Sequence, residues 1–251
     1  MTEPAADPWS AERGRSFGGV ADVYAASRPE YPAEALTWVA GPRCRQVLDL
    51  GAGTGKLSSG LVTAGWQVTA VEPLLEMLDR FAAPEAHPVA GTAESIPLAD
   101  QSMDAVFAGQ AFHWFRTDEA LAEIARVLRP AGRLGLLWNM IDLSEPWAAD
   151  LAAIMHEQVP ALATVGTGKP FDSKLFSGLQ WRQFAHGGQR MDLPSLLDLV
   201  RSRSYIVTLP AEEHAAVLDQ VTRLVREHPD LRGRAEFTLP YVTDTWRATK
   251  C

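Results

Sequence analysis

Apolar positions recur along this chain in two rhythms. Gln46 to Leu50, Gln67 to Val71 and Ala105 to Ala108 are short apolar or β-branched runs, the pattern of strands buried on both faces. Between them, Lys56 to Ala64 and Asp118 to Leu128 place apolar residues three and four apart, as one face of a helix does. Ala33 to Ala40 and Pro73 to Ala82 also read as helices. His87 to Ala90 reads as a weaker third strand and Arg133 to Trp138 as a fifth. Gly41-Pro42, Gly65, Pro84 and Pro130 with Gly132 punctuate these elements. Alternation of strand and helix at this spacing predicts a parallel sheet with helices on both faces.

The rhythm loosens after Trp138. Pro146 to Gln158, Leu193 to Arg203 and Glu212 to Glu227 look helical. Leu179 to His186 and Glu236 to Ala248 look like strands, with Pro240 marking a bend or an edge. Ala161 to Pro170 reads as loop, and Phe17 to Ala26 as a short helix ahead of Pro29 and Pro32.

The first strand runs into Asp49-Leu50-Gly51-Ala52-Gly53-Thr54-Gly55, just before a helix. Glycines there let the backbone turn sharply and approach a ligand, and the helix supplies free N–H groups. A dinucleotide fingerprint needs G-x-G-x-x-G, and Lys56 stands where its last glycine belongs. A phosphate-binding P-loop needs Ser or Thr after Gly-Lys, and Leu57 stands there, with Leu50 at its first glycine. A plain turn is a poor account of three glycines in five residues, because each one costs roughly 0.5–1 kcal/mol where it is not needed. Glu72 ends the second strand 19 residues after Gly53, where an acidic side chain can accept from ribose hydroxyls. It could instead be a carboxylate favoured at a helix N-terminus.

These segments, with Gly91-Thr92-Ala93-Glu94, Ile96-Pro97, Asp104-Ala105-Val106 and Leu128-Arg129-Pro130-Ala131-Gly132, resemble the successive motifs of class I S-adenosylmethionine-dependent methyltransferases. Within that superfamily, Ala111-Phe112-His113-Trp114-Phe115 and the opening Phe17, Tyr24, Arg28-Pro29 and Tyr31-Pro32 are similar to the type 11, trans-aconitate-methyltransferase-like branch. The later Ser202 to Tyr205 and Leu239 to Thr243 look like those of actinobacterial members. The likeness runs from about Phe17 to the end, and its motifs are specific for cofactor and fold, weak for substrate.

The resemblance implies a Rossmann-like, doubly wound α/β fold: a seven-stranded, mostly parallel sheet with one antiparallel strand and a helical cap. It implies an N-terminal helical segment over the cofactor at residues 1–32, an S-adenosylmethionine-binding core at 33–140, and cap helices with the last two strands at 141–251. Gly51, Gly53 and Gly55 would lie under the methionine part of the cofactor, with Asp49 in support. Glu72 would hold the ribose, Pro73 the adenine face, and Ala93 and Glu94 the adenine edge. Gln110 would sit beside the sulfonium, and Arg28 would bind the cofactor carboxylate through paired hydrogen bonds. His113, Tyr24 and Tyr205 are the candidate catalytic groups, and Trp114 and Ser204 the candidate acceptor contacts. For His113 and its neighbouring aromatics, packing under the next helix competes with a place in the site.

Composition narrows the partners. Lys and Arg number 23 against 31 Asp and Glu, a net charge of −8, and no basic cluster occurs. Such a chain is a poor binder of nucleic acid or anionic membrane. Cys44 and Cys251 make no disulfide framework and no metal-ligand spacing, so no metal is expected. Met1 to Arg15 lacks the apolar run of a signal peptide, and no stretch is long enough to span a bilayer. The expectation is a cytoplasmic enzyme, monomer or homodimer, with a small-molecule methyl acceptor. A carboxylate acceptor needs no base, whereas an alcohol, phenol or amine usually does. The short choice of bases therefore favours an acid. Two other readings use the same loop: cyclisation of S-adenosylmethionine with release of methylthioadenosine, and cofactor binding without turnover.

Overall fold

The computed structural model describes residues 29–155, 168–203, 206 and 209–251. Tyr24 and Arg28, Ser204 and Tyr205, and the helix expected at Phe17 to Ala26 lie outside them. The described elements are α1 (Ala33–Ala40), β1 (Gln46–Leu50), α2 (Lys56–Thr63), β2 (Gln67–Glu72), α3 (Leu75–Leu78), β3 (His87–Ala90) and β4 (Met103–Gly109). A single 3-10 turn at Phe112–Trp114 precedes α4 (Thr117–Val127) and β5 (Leu128–Ile141). Then come α5 (Pro146–Ile154), β6 (Phe176–Met191), α6 (Leu193–Arg201), α7 (Ala211–Glu227) and β7 (Phe237–Lys250).

The seven strands form one sheet in the order β3-β2-β1-β4-β5-β7-β6. Strands β1 to β5 pair in parallel, and β7 runs antiparallel to both β5 and β6. The expected doubly wound sheet with one antiparallel strand is therefore present. Successive residues serve opposite faces, as the period of a strand requires. Leu48, Leu50, Val106, Ala108, Leu136 and Trp138 bury against α4, while Val47, Ala105, Phe107 and Leu137 bury against α1 and α2.

Strands β1 to β4 are 4 to 7 residues long, whereas β5, β6 and β7 have 14, 16 and 14. Their extra length carries Ile141, Met191, Leu239 and Tyr241 beyond the main sheet, where they pack against α5, α6 and α7 in a second core. In α7, Val217, Val221 and Val225 form the stripe that faces it.

Three expectations are corrected. The helix expected over Pro73 to Ala82 stops after one turn at Leu78, because Phe81 packs over Gly55 and the Ala82 N–H bonds to Thr54 O at 2.9 Å. Pro240 is not at an edge: β7 lies inside the sheet. Its missing N–H falls where the ladder with β6 shifts register between His186 and Gln189, so no bond is lost there. The fifth strand, expected to end at Trp138, continues to Ile141 because β7 supplies partners as far as Tyr241.

Candidate functional site

The glycine loop hangs from β2. The N–H groups of Gly51 and Ala52 donate to Val71 O at 2.8 and 3.1 Å. The carboxylate of Glu72 accepts from Gly53 N–H at 2.9 Å and, through its other oxygen, from Leu74 N–H at 3.0 Å. Glu72 thus stands rigidly at the tip of β2 with both oxygens aligned by backbone. Gly53 has φ +57°, and a Cβ built on it meets nothing within 4 Å. The glycine serves the left-handed backbone there and leaves open space above it.

Asp49, 1% exposed, lies beneath the loop. Its Oδ2 accepts from Ser58 Oγ–H at 2.6 Å, and Oδ1 is buried without a hydrogen-bond partner among the described residues. Burial pushes its carboxyl up from 3.8 to about 7, and the neighbouring Glu72 carboxylate pushes the same way. Burial also raises Glu72. Two acidic groups side by side, one with an orphan oxygen, call for a ligand that brings donors or positive charge.

The opposite wall follows β4. Gln110 adopts φ +54°, its N–H donates to Leu137 O at 2.9 Å, and its Nε2 donates to Asn139 O at 2.8 Å. A Cβ on Gly51 would lie 2.7 Å from Ala111 Cβ, so the two walls touch here. Phe112 is buried in the main core, edge-on to Phe115 at 5.7 Å between ring centres. His113 lies 4.8 Å from Trp114, ring centre to ring centre, and its Nδ1 is 3.5 Å from the indole Nε1 of Trp138. Burial lowers its pKa from 6.5 to about 4, so the imidazole is neutral near pH 7. An indole N–H only donates, so Nδ1 is the acceptor and the ring proton belongs on Nε2.

Of the residues expected from the sequence, Asp49, Gly51, Gly53, Gly55, Glu72, Pro73, Gln110, His113 and Trp114 all lie on or just beyond the C-terminal ends of β1, β2 and β4. The turn bearing Ala93 and Glu94 is tied beside them by the Gly91 N–H to Glu72 O bond of 3.2 Å. Ala93 is buried, and Glu94 Oε1 accepts from Arg116 N–H at 2.9 Å, ahead of α4. Sequence reasoning missed Asn139, Thr243 and the Tyr31 ring over Gly109. A polar Asn inside the apolar run Leu134 to Ile141 was the available signal. No group of three His, Cys, Asp or Glu among the described residues could hold a metal. A cavity of about 490 Å³ lies at the other end of the sheet, beside Gln46, Gln67 and His87, away from this edge.

The donor set fits S-adenosylmethionine. The Glu72 carboxylate and the unpaired Oδ1 of Asp49 are acceptors that would suit its ribose-hydroxyl and ammonium donors, and a Cβ on Gly53 would meet nothing within 4 Å. This sheet order, with a glycine loop after β1 and a carboxylate at the tip of β2, is the arrangement that the resemblance to class I methyltransferases implies. The comparisons agree. Residues 48–136 match the family described as methyltransferase domain. An uncharacterized methyltransferase of Mycobacterium tuberculosis is 44% identical over 237 residues, 93% of this chain and 95% of that one. A malonyl-[acyl-carrier protein] O-methyltransferase of Methylococcus capsulatus is 41% identical over 166 residues, 60% of each chain. The solved structure of a putative type II methyltransferase from Anaeromyxobacter dehalogenans superposes with a TM-score of 0.63 at 22% identity, covering 89% of this chain and 96% of that one. The chain belongs to the S-adenosylmethionine-dependent methyltransferases.

Proposed function

We propose that this enzyme methylates a carboxylate oxygen of a small acidic molecule. The observation that carries the reading is the state of His113: burial holds it neutral and weakly basic, at about 4. A base so weak gives little driving force for removing a proton from an alcohol, phenol or ammonium group. A carboxylate is ionised at neutral pH and asks only to be held in line. The relative from Methylococcus capsulatus, named for O-methylation of a malonyl group, supports the same direction.

S-adenosylmethionine supplies an electrophilic methyl group on a sulfonium. In this reading Glu72 holds the ribose hydroxyls, and Pro73, Ala93 and Glu94 flank the adenine. Asp49, Gly51, Gly53 and Gly55 cradle the amino-acid part, and Arg28 pairs with its carboxylate. Gln110 lies beside the sulfonium. The Nε2–H of His113 serves as a donor to the acceptor's oxygen rather than as a base, with Trp114 beside it. Tyr24, Ser204 and Tyr205 complete the acceptor side as hydroxyl donors and exclude water. The acceptor is a small molecule, and the enzyme works in the cytoplasm as monomer or homodimer.

The test is a turnover panel of carboxylic acids, phenols and amines, with S-adenosylhomocysteine and methylated product measured by mass spectrometry. Methyl esters from acids are expected. Methylation of a phenol or amine with no acid turned over would overturn the reading. Methylthioadenosine in place of S-adenosylhomocysteine would move it to cyclisation.

A further inference from the structure

One buried amide joins three parts of the chain at the C-terminal edge of β5. Asn139 is 5% exposed. Its Nδ2 donates to Pro29 O at 3.3 Å and to Glu30 O at 3.0 Å, and its Oδ1 accepts from Thr243 Oγ1 at 2.6 Å. The orientation of the amide follows from its partners. Carbonyl oxygens only accept, so the NH2 must face Pro29 and Glu30 and the oxygen must face the hydroxyl. The backbone carbonyl of the same residue accepts from Gln110 Nε2 at 2.8 Å.

The strap held in this way reaches the C-terminal end of β4. A Cβ on Gly109 would come within 2.6 Å of the Tyr31 hydroxyl and 2.9 Å of its ring, so Tyr31 rests on the backbone of Gly109, directly before Gln110. Gln110 holds a left-handed backbone that non-glycine residues seldom take, and Ala111 next to it touches the Gly51 position. Asn139 therefore meets the strap with its side chain and Gln110 with its backbone, and Gln110 leads on to the glycine loop.

We propose that Asn139 is a positioning residue for the cofactor: it clasps the strap at Pro29 and Glu30 to the sheet edge and so holds Tyr31, Gln110 and the glycine loop in one arrangement. The inference rests on the reading of this edge as the S-adenosylmethionine site.

The test compares Asn139→Asp with Leu199→Ala. The first keeps the shape and the acceptor for Thr243 but turns an oxygen toward two carbonyl oxygens. The second removes buried volume in the separate core of the cap. Thermal denaturation ranks both for stability, and calorimetry measures the Kd for S-adenosylhomocysteine. Asn139→Asp is expected to weaken binding about 10-fold or more and to raise the KM for S-adenosylmethionine by a similar factor, with kcat for a turned-over acceptor falling less. Leu199→Ala is expected to lower Tm and leave Kd within about twofold. Equal Kd for Asn139→Asp and the parent protein overturns the inference, as does equal weakening by both variants, which makes the clasp merely structural. Failure of the parent protein to bind S-adenosylhomocysteine overturns the cofactor reading instead.

Discussion

The two halves of the sheet are built by different rules. On the β1 to β4 side, strands of 4 to 7 residues end in loops that carry the candidate cofactor residues. Those residues meet over short sequence distances, as Ser58 meets Asp49 and Gly53 meets Glu72. On the β5 to β7 side, long antiparallel ladders carry a helical cap with its own core. Contacts there join distant residues: Thr243 lies 104 positions from Asn139. The first half brings backbone N–H groups and two carboxylates together within a few turns of chain. The second half has its own core, separate from the one beneath the glycine loop.

Four variants test that division, from the largest expected effect down. Glu72→Ala removes the acceptor for two backbone N–H groups and, in the proposed role, for the ribose. It should weaken S-adenosylhomocysteine binding by on the order of 1,000-fold, roughly 4 kcal/mol, in calorimetry. A change of only a few-fold would remove Glu72 from the site. Leu199→Ala, in the cap core, should cost roughly 3 kcal/mol of stability in chemical denaturation and leave that binding intact. Lost binding would show that the two cores act as one.

Asp49→Asn sets function against stability inside the cofactor half. Burial raises the Asp49 carboxyl from 3.8 to about 7, so the native state binds this proton more tightly than the unfolded state. That contribution is full below pH 3.8 and is lost as pH rises through about 7. Above pH 7 the amide should therefore melt higher, by about 1–3 kcal/mol, with the gain shrinking toward pH 5. S-adenosylhomocysteine should bind it about 10-fold more weakly, since a partner for the ligand's charge is gone. In the parent protein, binding should tighten from pH 6 to pH 8 as Asp49 ionises. The smallest effect is expected at His113→Gln, which keeps a donor. Its kcat on an acid should fall less than about fivefold, whereas loss of a true general base costs about 100-fold or more. With cofactor saturating, the parent's kcat on an acid should also stay flat from pH 6 to 9.

Much of the cofactor half was legible in the sequence because its signals are local. Val47 to Gly55 reads as strand, turn and helix start from nine consecutive residues, and Glu72 follows at a spacing set by one helix and one strand. For the aromatic run at Phe112 to Phe115 the sequence left packing and a place in the site both open, and the structure buries Phe112 in the main core with His113 and Trp114 at the end of β4. Legibility failed where tertiary contact overrode local preference. Pro73 to Ala82 has helical character, yet Phe81 and Ala82 are taken up by the glycine loop. Pro240 reads as a bend or an edge; the edge is excluded, because a register shift in the pairing with β6 lets the proline sit inside the sheet.

By itself the sequence determined the five alternating parallel elements, the glycine loop and the acidic residue that follows it at Glu72, because periodicity, turn chemistry and short spacings are properties of neighbouring residues, while the seven-stranded sheet came from the family resemblance. Only the tertiary structure decided which oxygen of Asp49 goes unpaired, which nitrogen of His113 carries the proton, and which segments Asn139 holds together. Each of these depends on burial or on a partner supplied from elsewhere in the chain: Trp138 for His113, and Pro29 for Asn139 across 110 positions. Hydrogen bonds and desolvation act through space, and a strand pattern carries no record of which distant carbonyl will close on it.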